Sequence, residues 1–289
     1  MFEKFVNDYL AQVESTSRLS SRSDGFAALR HLGLDDFGYV LWQMPLADYP
    51  KLSSVLPPMT PDDITSKWTG NKGLPLLQQG IHFVRACAEG YTSITGTTLH
   101  NKRILDFGCV YGRFLRLFSY YSENVFGVDA LEESLENSRT AGFGDVIRKS
   151  DPVPVKLPFK EPFDFLFAFS IFTHLSKQST ISSLLALRKA ARERAILVIT
   201  IRPIEFWRTT KSSRFVKKPE VIERMISDHK EAEFAFLPYN FETNNASGDY
   251  GDTSMSLEWL LDKAKGWKYE AMTRSINNKM QRYIFLSAV

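Results

Sequence analysis

An α/β fold with a doubly wound, mostly parallel sheet of seven strands, preceded by a helical N-terminal extension, follows from three features of this sequence. Short apolar runs alternate with amphipathic segments from about Lys102 onward. One of those runs, Phe163 to Ser170, is almost wholly apolar, as expected of a central parallel strand covered on both faces. The first hundred residues instead carry helix-like stretches around a loop rich in Pro and Asp.

Taken in order, Phe2 to Val13 and Leu76 to Tyr91 read as helices, with Pro57, Pro58, Pro61, Asp62 and Asp63 in the loop between them. Arg103 to Phe107 reads as a strand. Gly112 to Tyr120 reads as a helix with Phe114, Leu117 and Phe118 on one face. Asn124 to Val128 is a second strand, Leu131 to Thr140 a helix, and Asp145 to Arg148 a short third strand. After Phe163 to Ser170 come a helix over Thr180 to Arg192 and a strand over Ala195 to Ile201. This alternation implies a parallel sheet with helices on both faces. Residues 202 to 255 read as irregular and charge-rich, an insertion that covers the ligand edge of the sheet. Ser256 to Ala264 is a last helix with Ser256 as its N-cap, and Gly266 to Arg274 and Gln281 to Ala288 are two closing strands. The expected organisation is an extension over 1–100 and a ligand-binding domain over 101–289.

Composition narrows the function. The chain has 289 residues, of which 44% are apolar and 24% charged, close to the globular average. A net charge of +3 is weak for a protein that binds nucleic acid by neutralising phosphates. Two cysteines, Cys87 and Cys109, are too few for a disulfide framework and lack metal-ligand spacing, so a reducing, cytoplasmic setting fits best. Glu3, Lys4 and Asp8 near the N-terminus do not fit a signal peptide. No apolar run reaches the length of a membrane span.

The most informative segment is Ile104 Leu105 Asp106 Phe107 Gly108 Cys109 Val110 Tyr111 Gly112 Arg113. It runs from a buried strand through a turn into a helix. Glycines there let the backbone approach a ligand, and the helix start offers free N–H groups. Asp129, 21 residues after Gly108, closes the next strand and can accept hydrogen bonds from ribose hydroxyls. A dinucleotide and S-adenosylmethionine both suit a glycine turn followed by such an acid. The spacing here is Gly108-x-x-x-Gly112 rather than GxGxxG, and Asp106 offers an acid for an amino-acid moiety. Both features favour S-adenosylmethionine.

Asp106 to Gly112 resembles the first motif of class I S-adenosylmethionine-dependent methyltransferases, D-x-G-C-G-x-G. Gly127 Val128 Asp129 resembles the second motif of that family. Ser150 Asp151, followed by Leu157 Pro158 Phe159, is similar to its adenine-side loop, and Phe163 Asp164 Phe165 with Ser170 to Leu175 to its fourth motif. The resemblance covers about residues 100 to 202. It is thinner over 250–289, where Tyr250 Gly251 Asp252 and the late strand pair look like the tail of bacterial small-molecule enzymes, including those of sugar and glycan pathways. The middle glycine of the first motif is replaced by Val110, and Arg192 Glu193 Arg194 stands where the family has a Pro-Gly-Gly turn. The resemblance implies that S-adenosylmethionine is bound by Asp106, Gly108, Cys109, Val110 and Gly112, with Asp129 and Ala130 at the ribose, Asp151 at the adenine and Ser170 beside the fourth strand.

Candidates for catalysis are His174, which titrates in the range of a general base, and Tyr250 and Asp252 in the insertion. Packing at a helix start explains His174 as well, and turn chemistry explains Gly248 to Gly251. Arg202, Arg208, Lys211, Arg214, Lys217 and Lys218, against the single acid Glu205, form a basic segment that either grips an anionic acceptor or is solvated. Trp68 Thr69 Gly70 helps close the cofactor pocket or is simply packed. There is no Asn/Asp-Pro-Pro-Tyr/Phe after the fourth strand and no Pro-Cys pair, which counts against base methylation in nucleic acids. The expected acceptor is a small molecule, a sugar precursor or an anionic metabolite. An RNA substrate, a dinucleotide-dependent enzyme and a non-catalytic scaffold stand as the rival readings.

Overall fold

The computed structural model describes residues 2–209, 218–239 and 248–289. The chain forms two compact units, Met1–Lys149 and Ser150–Val289.

The first unit begins with α1 (Lys4–Thr16), whose Val6, Leu10 and Val13 fall on one face and are buried. Four short helices then occupy the stretch in which the sequence showed only a loop: α2 (Arg22–Leu29), α3 (Leu34–Trp42), α4 (Pro50–Val55) and α5 (Asp62–Thr69). None exceeds nine residues, too few turns for a helical period to stand out. Their start signals are nonetheless ordinary. Ser21 caps α2 by accepting from the Asp24 amide, and Pro50 opens α4. Asp62 and Asp63, expected in a loop, fill the first turn of α5, where carboxylates suit the positive end of the helix dipole.

The long helix α6 (Gly73–Thr95) buries a stripe of Leu77, Ile81, Val84, Cys87 and Tyr91. Gly80 allows its close approach to the helix α7 (Arg113–Phe118), since a Cβ there would lie 2.8 Å from Leu117 Cδ1. Strands β1 (Ile104–Phe107), β2 (Val125–Asp129) and β3 (Ile147–Lys149) pair in parallel, with Ile104 opposite Val125 and Phe107 opposite Val128. Helix α8 (Glu132–Ser138) and a wide turn, Arg139–Phe143, connect β2 to β3.

The second unit contains β4 (Phe163–Ala168), α9 (Lys177–Ala190) and β5 (Ala191–Ile201), with β4 and β5 parallel. A short 3-10 turn (Ile204–Arg208), α10 (Pro219–Ala232), β6 (Phe234–Pro238) and β7 (Gly251–Met255) follow. Then come α11 (Leu257–Lys263), β8 (Trp267–Thr273) and β9 (Arg282–Ala288), with β9 antiparallel to both β5 and β8. Ser256 caps α11 through the Trp259 amide, as expected. The strand order is β3-β2-β1 within the first unit and β4-β5-β9-β8 within the second, seven mostly parallel strands in all.

The described parts of the segment 202–255 hold more regular structure than the sequence indicated. It contributes α10 and an antiparallel pair, β6–β7, in which Phe234 faces Met255. The pair was hidden because β7 reads Gly-Asp-Thr-Ser-Met, yet all five residues are buried. Buried polar residues carry no hydrophobic signature, so no alternation was visible. Among the described residues, no helix is long and apolar enough to cross a membrane.

Candidate active site

In the first unit the turn between β1 and α7 is held by its own hydrogen bonds. The Gly108 and Cys109 amides donate to the Val128 carbonyl at 2.8 and 3.2 Å, and the Gly112 amide donates to Cys109 O at 2.8 Å. Gly108 has φ 89° and Gly112 φ 77°. At Gly112 a Cβ would also meet Phe143 Cδ2 at 2.6 Å, so shape and conformation both require glycine. Between them Val110 adopts φ 47°, a left-handed conformation that costs an L-residue about 1–2 kcal/mol. Two contacts hold it there: its amide donates to Asp129 Oδ2 at 3.0 Å, and its carbonyl accepts from Ser138 Oγ at 2.8 Å.

Asp129, at the end of β2, therefore braces the turn. Its second oxygen accepts from the Leu131 amide at 3.0 Å, so one carboxylate ties the glycine turn to the start of α8, with the half-buried Ala130 between. Burial raises the Asp129 pKa, and the Leu131 and Val110 amides oppose that rise. Each oxygen keeps further acceptor capacity. Asp106 is buried at the end region of β1, and its Oδ2 has no hydrogen-bond partner among the described residues. Burial pushes its pKa well up, the Arg113 charge pulls it down, and the Asp129 charge adds to the rise. Cys109 is buried against Gly127 of β2, where an added Cβ would meet its sulfur at 2.8 Å. The first unit thus brings together Asp106, Gly108, Cys109, Val110, Gly112, Asp129 and Ala130.

In the second unit Asp151 is exposed in the loop that opens it. Ser170 follows β4 with φ 60°, fixed by its amide donating to Thr200 Oγ1 at 2.7 Å and by Gln281 Nε2 donating to its hydroxyl at 2.9 Å. Strain of this kind persists only where the surroundings hold it.

His174, Tyr250 and Asp252 come together. His174 Nδ1 lies 2.7 Å from Gly251 O, and a carbonyl only accepts, so Nδ1 carries the proton. Arg202 Nη2 donates to the lone pair of His174 Nε2 at 3.2 Å. Arg202 Nη1 also donates to Asp252 Oδ1 at 2.6 Å and to Thr173 O at 3.0 Å. The Tyr239 hydroxyl donates to the same Asp252 oxygen at 2.9 Å and stands 3.0 Å from His174 Nδ1. Tyr250 stacks on the imidazole with centroids 5.3 Å apart and planes 25° apart. Burial, followed by the Arg202 charge, holds the His174 pKa well below its ordinary range. Burial, followed by the Asp252 charge, holds the Tyr239 hydroxyl well above its own. The imidazole is neutral at neutral pH, with one nitrogen tied to backbone and the other facing a guanidinium.

Sequence reasoning placed Arg202 in a basic segment and passed over Tyr239. The signal for Arg202 was its position directly after a buried strand, since a cation at that edge meets whatever carboxylate the next layer supplies. Tyr239 lay beyond reach while the β6–β7 pair went unrecognised. Arg208 pairs with Glu223 at the surface, whereas Lys211, Arg214 and Lys217 lie outside the described residues.

Comparison with known proteins adds one family. Residues 105–199 match the family model described as a methyltransferase domain. Among solved structures the chain is similar to the PH0226 protein from Pyrococcus horikoshii, at 15% identity, covering 72% of this chain and 92% of that chain with a TM-score of 0.50. It is also similar to an S-adenosylmethionine-dependent methyltransferase from Clostridium acetobutylicum, at 11% identity, covering 78% of this chain and 96% of that chain with a TM-score of 0.49. No curated protein matches this chain.

Proposed function

We propose that this chain is a class I S-adenosylmethionine-dependent methyltransferase, as the methyltransferase-domain match over residues 105–199 supports, and that it methylates an oxygen of a small acceptor, a sugar or glycan precursor or an anionic metabolite. The cofactor, when bound, would supply an electrophilic methyl group to the acceptor oxygen, its sulfonium sulfur leaving as a neutral thioether. The observation that carries the reading is the Asp129 carboxylate, locked between the Val110 and Leu131 amides with acceptor capacity to spare. Ribose hydroxyls fit that capacity. The unpartnered Oδ2 of buried Asp106 fits the ammonium of the methionine moiety, which would supply the positive charge that burial denies it. Asp151 is assigned to the adenine and Ser170 to the edge after β4, as the family motifs imply.

His174 takes the role of general base through Nε2. It is neutral at working pH, its tautomer is fixed by Gly251 O, and its basic nitrogen must exchange Arg202 for the acceptor hydroxyl. Asp252 and Tyr239 hold Arg202 and the imidazole in place, and Tyr250 supports the ring face. A second reading rests on the same Arg202 contact: an acceptor that is already ionised needs no base, and His174 then only positions the loop. The two buried, free cysteines accord with a cytoplasmic location.

Calorimetric titration with S-adenosylhomocysteine tests the cofactor reading. The wild-type protein is expected to bind, and Asp129→Asn to bind at least ten-fold more weakly with unchanged circular dichroism. Absence of wild-type binding would end the proposal. For the acceptor half, His174→Gln is expected to lower kcat by about 10²–10⁴-fold while leaving affinity for S-adenosylhomocysteine intact. Wild-type turnover in that variant would favour the ionised acceptor.

A further inference from the structure

Within the first unit, the stretch from Pro57 to Gly70 is fastened at both ends to the two helices that frame the glycine turn. At its start, Arg116 donates to Pro57 O at 2.6 Å and to Pro58 O at 2.9 Å. Arg116 belongs to α7, one turn past Gly112, and its amide bonds to Gly112 O. At its end, Lys67 in the last turn of α5 pairs with Glu133 in the first turn of α8, four residues beyond Asp129. The chain between therefore runs from the helix after the glycine turn to the helix after the ribose acid. The end is closed by local bonds: Thr69 Oγ1 donates to Thr65 O at 2.8 Å, and Gly70 closes α5 at φ 68°.

Trp68 sits in that fastened end. Lys67 Nζ lies 5.8 Å from its ring centroid, which ties the indole to the same ion pair. Its Nε1 is buried and has no hydrogen-bond partner among the described residues. A buried indole N–H is normally partnered, because leaving it unpaired carries a desolvation cost of about 1–3 kcal/mol. A tryptophan kept only for packing has no use for an unpaired donor, since Phe would fill the space without that cost.

We propose that Pro57–Gly70 is a strap across the cofactor turn, and that Trp68 is a cofactor-binding residue which gives its indole N–H to the ribose–adenine part of S-adenosylmethionine. The assignment rests on the methyltransferase reading and extends it to a residue outside the family motifs. The ribose–adenine end follows from the anchor: Lys67 reaches the helix that Asp129 opens, while the methionine-side acid Asp106 lies at the other strand.

The test is titration with S-adenosylhomocysteine, read by tryptophan emission and by calorimetry in wild type and Trp68→Phe. The wild-type emission is expected to change on binding. In Trp68→Phe that change should be largely lost and the Kd raised about 2–10-fold, the value of one hydrogen bond. Hydrogen exchange on the wild-type protein gives a reading independent of the variant's folding, and amides 62–70 are expected to slow when the ligand is added. Wild-type binding with unaltered emission and unaltered exchange over 57–70 overturns the strap while leaving the cofactor reading standing. No wild-type binding at all overturns both.

Discussion

The glycine turn of the first unit and the polar network of the second solve the same problem, fixing polar groups at strand ends, by opposite means. The turn is almost all backbone. Gly108, Cys109 and Gly112 bond within four residues or to the adjacent strand, and the side chains of Asp129 and Ser138 brace the Val110 backbone between them. The network is almost all side chain: His174, Arg202, Tyr239 and Asp252 meet from the loop after β4, the end of β5, the end of β6 and the start of β7. A backbone device tolerates little change of shape. A side-chain device tolerates little change of charge.

The largest expected effect follows from that contrast. Arg202 and Asp252 are 12% and 4% exposed, so Arg202→Met leaves a carboxylate buried without its cation. Breaking one partner of such a pair costs about 3–5 kcal/mol, whereas replacing both by apolar residues is often close to neutral. Urea unfolding should therefore show Arg202→Met well below the Arg202→Met/Asp252→Leu double variant. Equal losses in the two would mean that the pair does not organise the network.

The deeply buried groups of the two units should also answer pH with opposite signs. Burial, and for His174 then the Arg202 charge, lowers the pKa of His174 and of buried His229, whose Nδ1 bonds to Ser254 Oγ at 2.7 Å. Below the ordinary histidine value of 6.5 the unfolded chain binds protons that the folded second unit refuses, so its stability falls as pH drops through that window. In the first unit burial raises Asp106 and Asp129 above the ordinary 3.8. At these two carboxyls the folded unit takes up protons before the unfolded chain does, so their contribution to its stability rises as pH falls through the folded values toward 3.8, against the opposite contribution of Asp24, Glu132 and Asp145, whose pKa values are lowered. Limited proteolysis at stepped pH, with cuts mapped to 2–149 or 150–289, reads the two responses separately. A uniform response would erase the distinction.

The same contrast explains what the sequence disclosed. The turn was legible because its parts are neighbours: Asp106, Gly108 and Gly112 stand within seven residues, and Asp129 follows at the next strand end. Strands β1, β2, β4, β5, β8 and β9 were legible from apolar runs, with ends within a few residues of the observed ones. His174, Tyr250 and Asp252 were found as residue types at an edge, but nothing in a linear pattern says that Arg202 will occupy the lone pair of His174. That contact depends on a strand, β7, whose buried residues are polar. The short helices α2 to α5 were lost for a different reason, since eight residues make barely two turns of a period.

Val110 is where the backbone device departs from the glycine motif it resembles, and it gives the smallest and sharpest test. A glycine there would remove about 1–2 kcal/mol of left-handed strain and bring back about 0.5–1 kcal/mol of unfolded-state entropy. Val110→Gly is therefore expected to gain stability by roughly 0.5–1 kcal/mol, with the Asp129 and Ser138 contacts intact because both use backbone atoms. Guanidinium unfolding measures the gain, and calorimetry with S-adenosylhomocysteine measures whether the smaller residue opens the turn. A tighter Kd alongside the gain would mean that Val110 obstructs the cofactor. A stability gain with unchanged Kd would mean that the turn binds through its backbone alone, and that the valine is tolerated because Asp129 and Ser138 already hold the conformation that glycine would adopt freely.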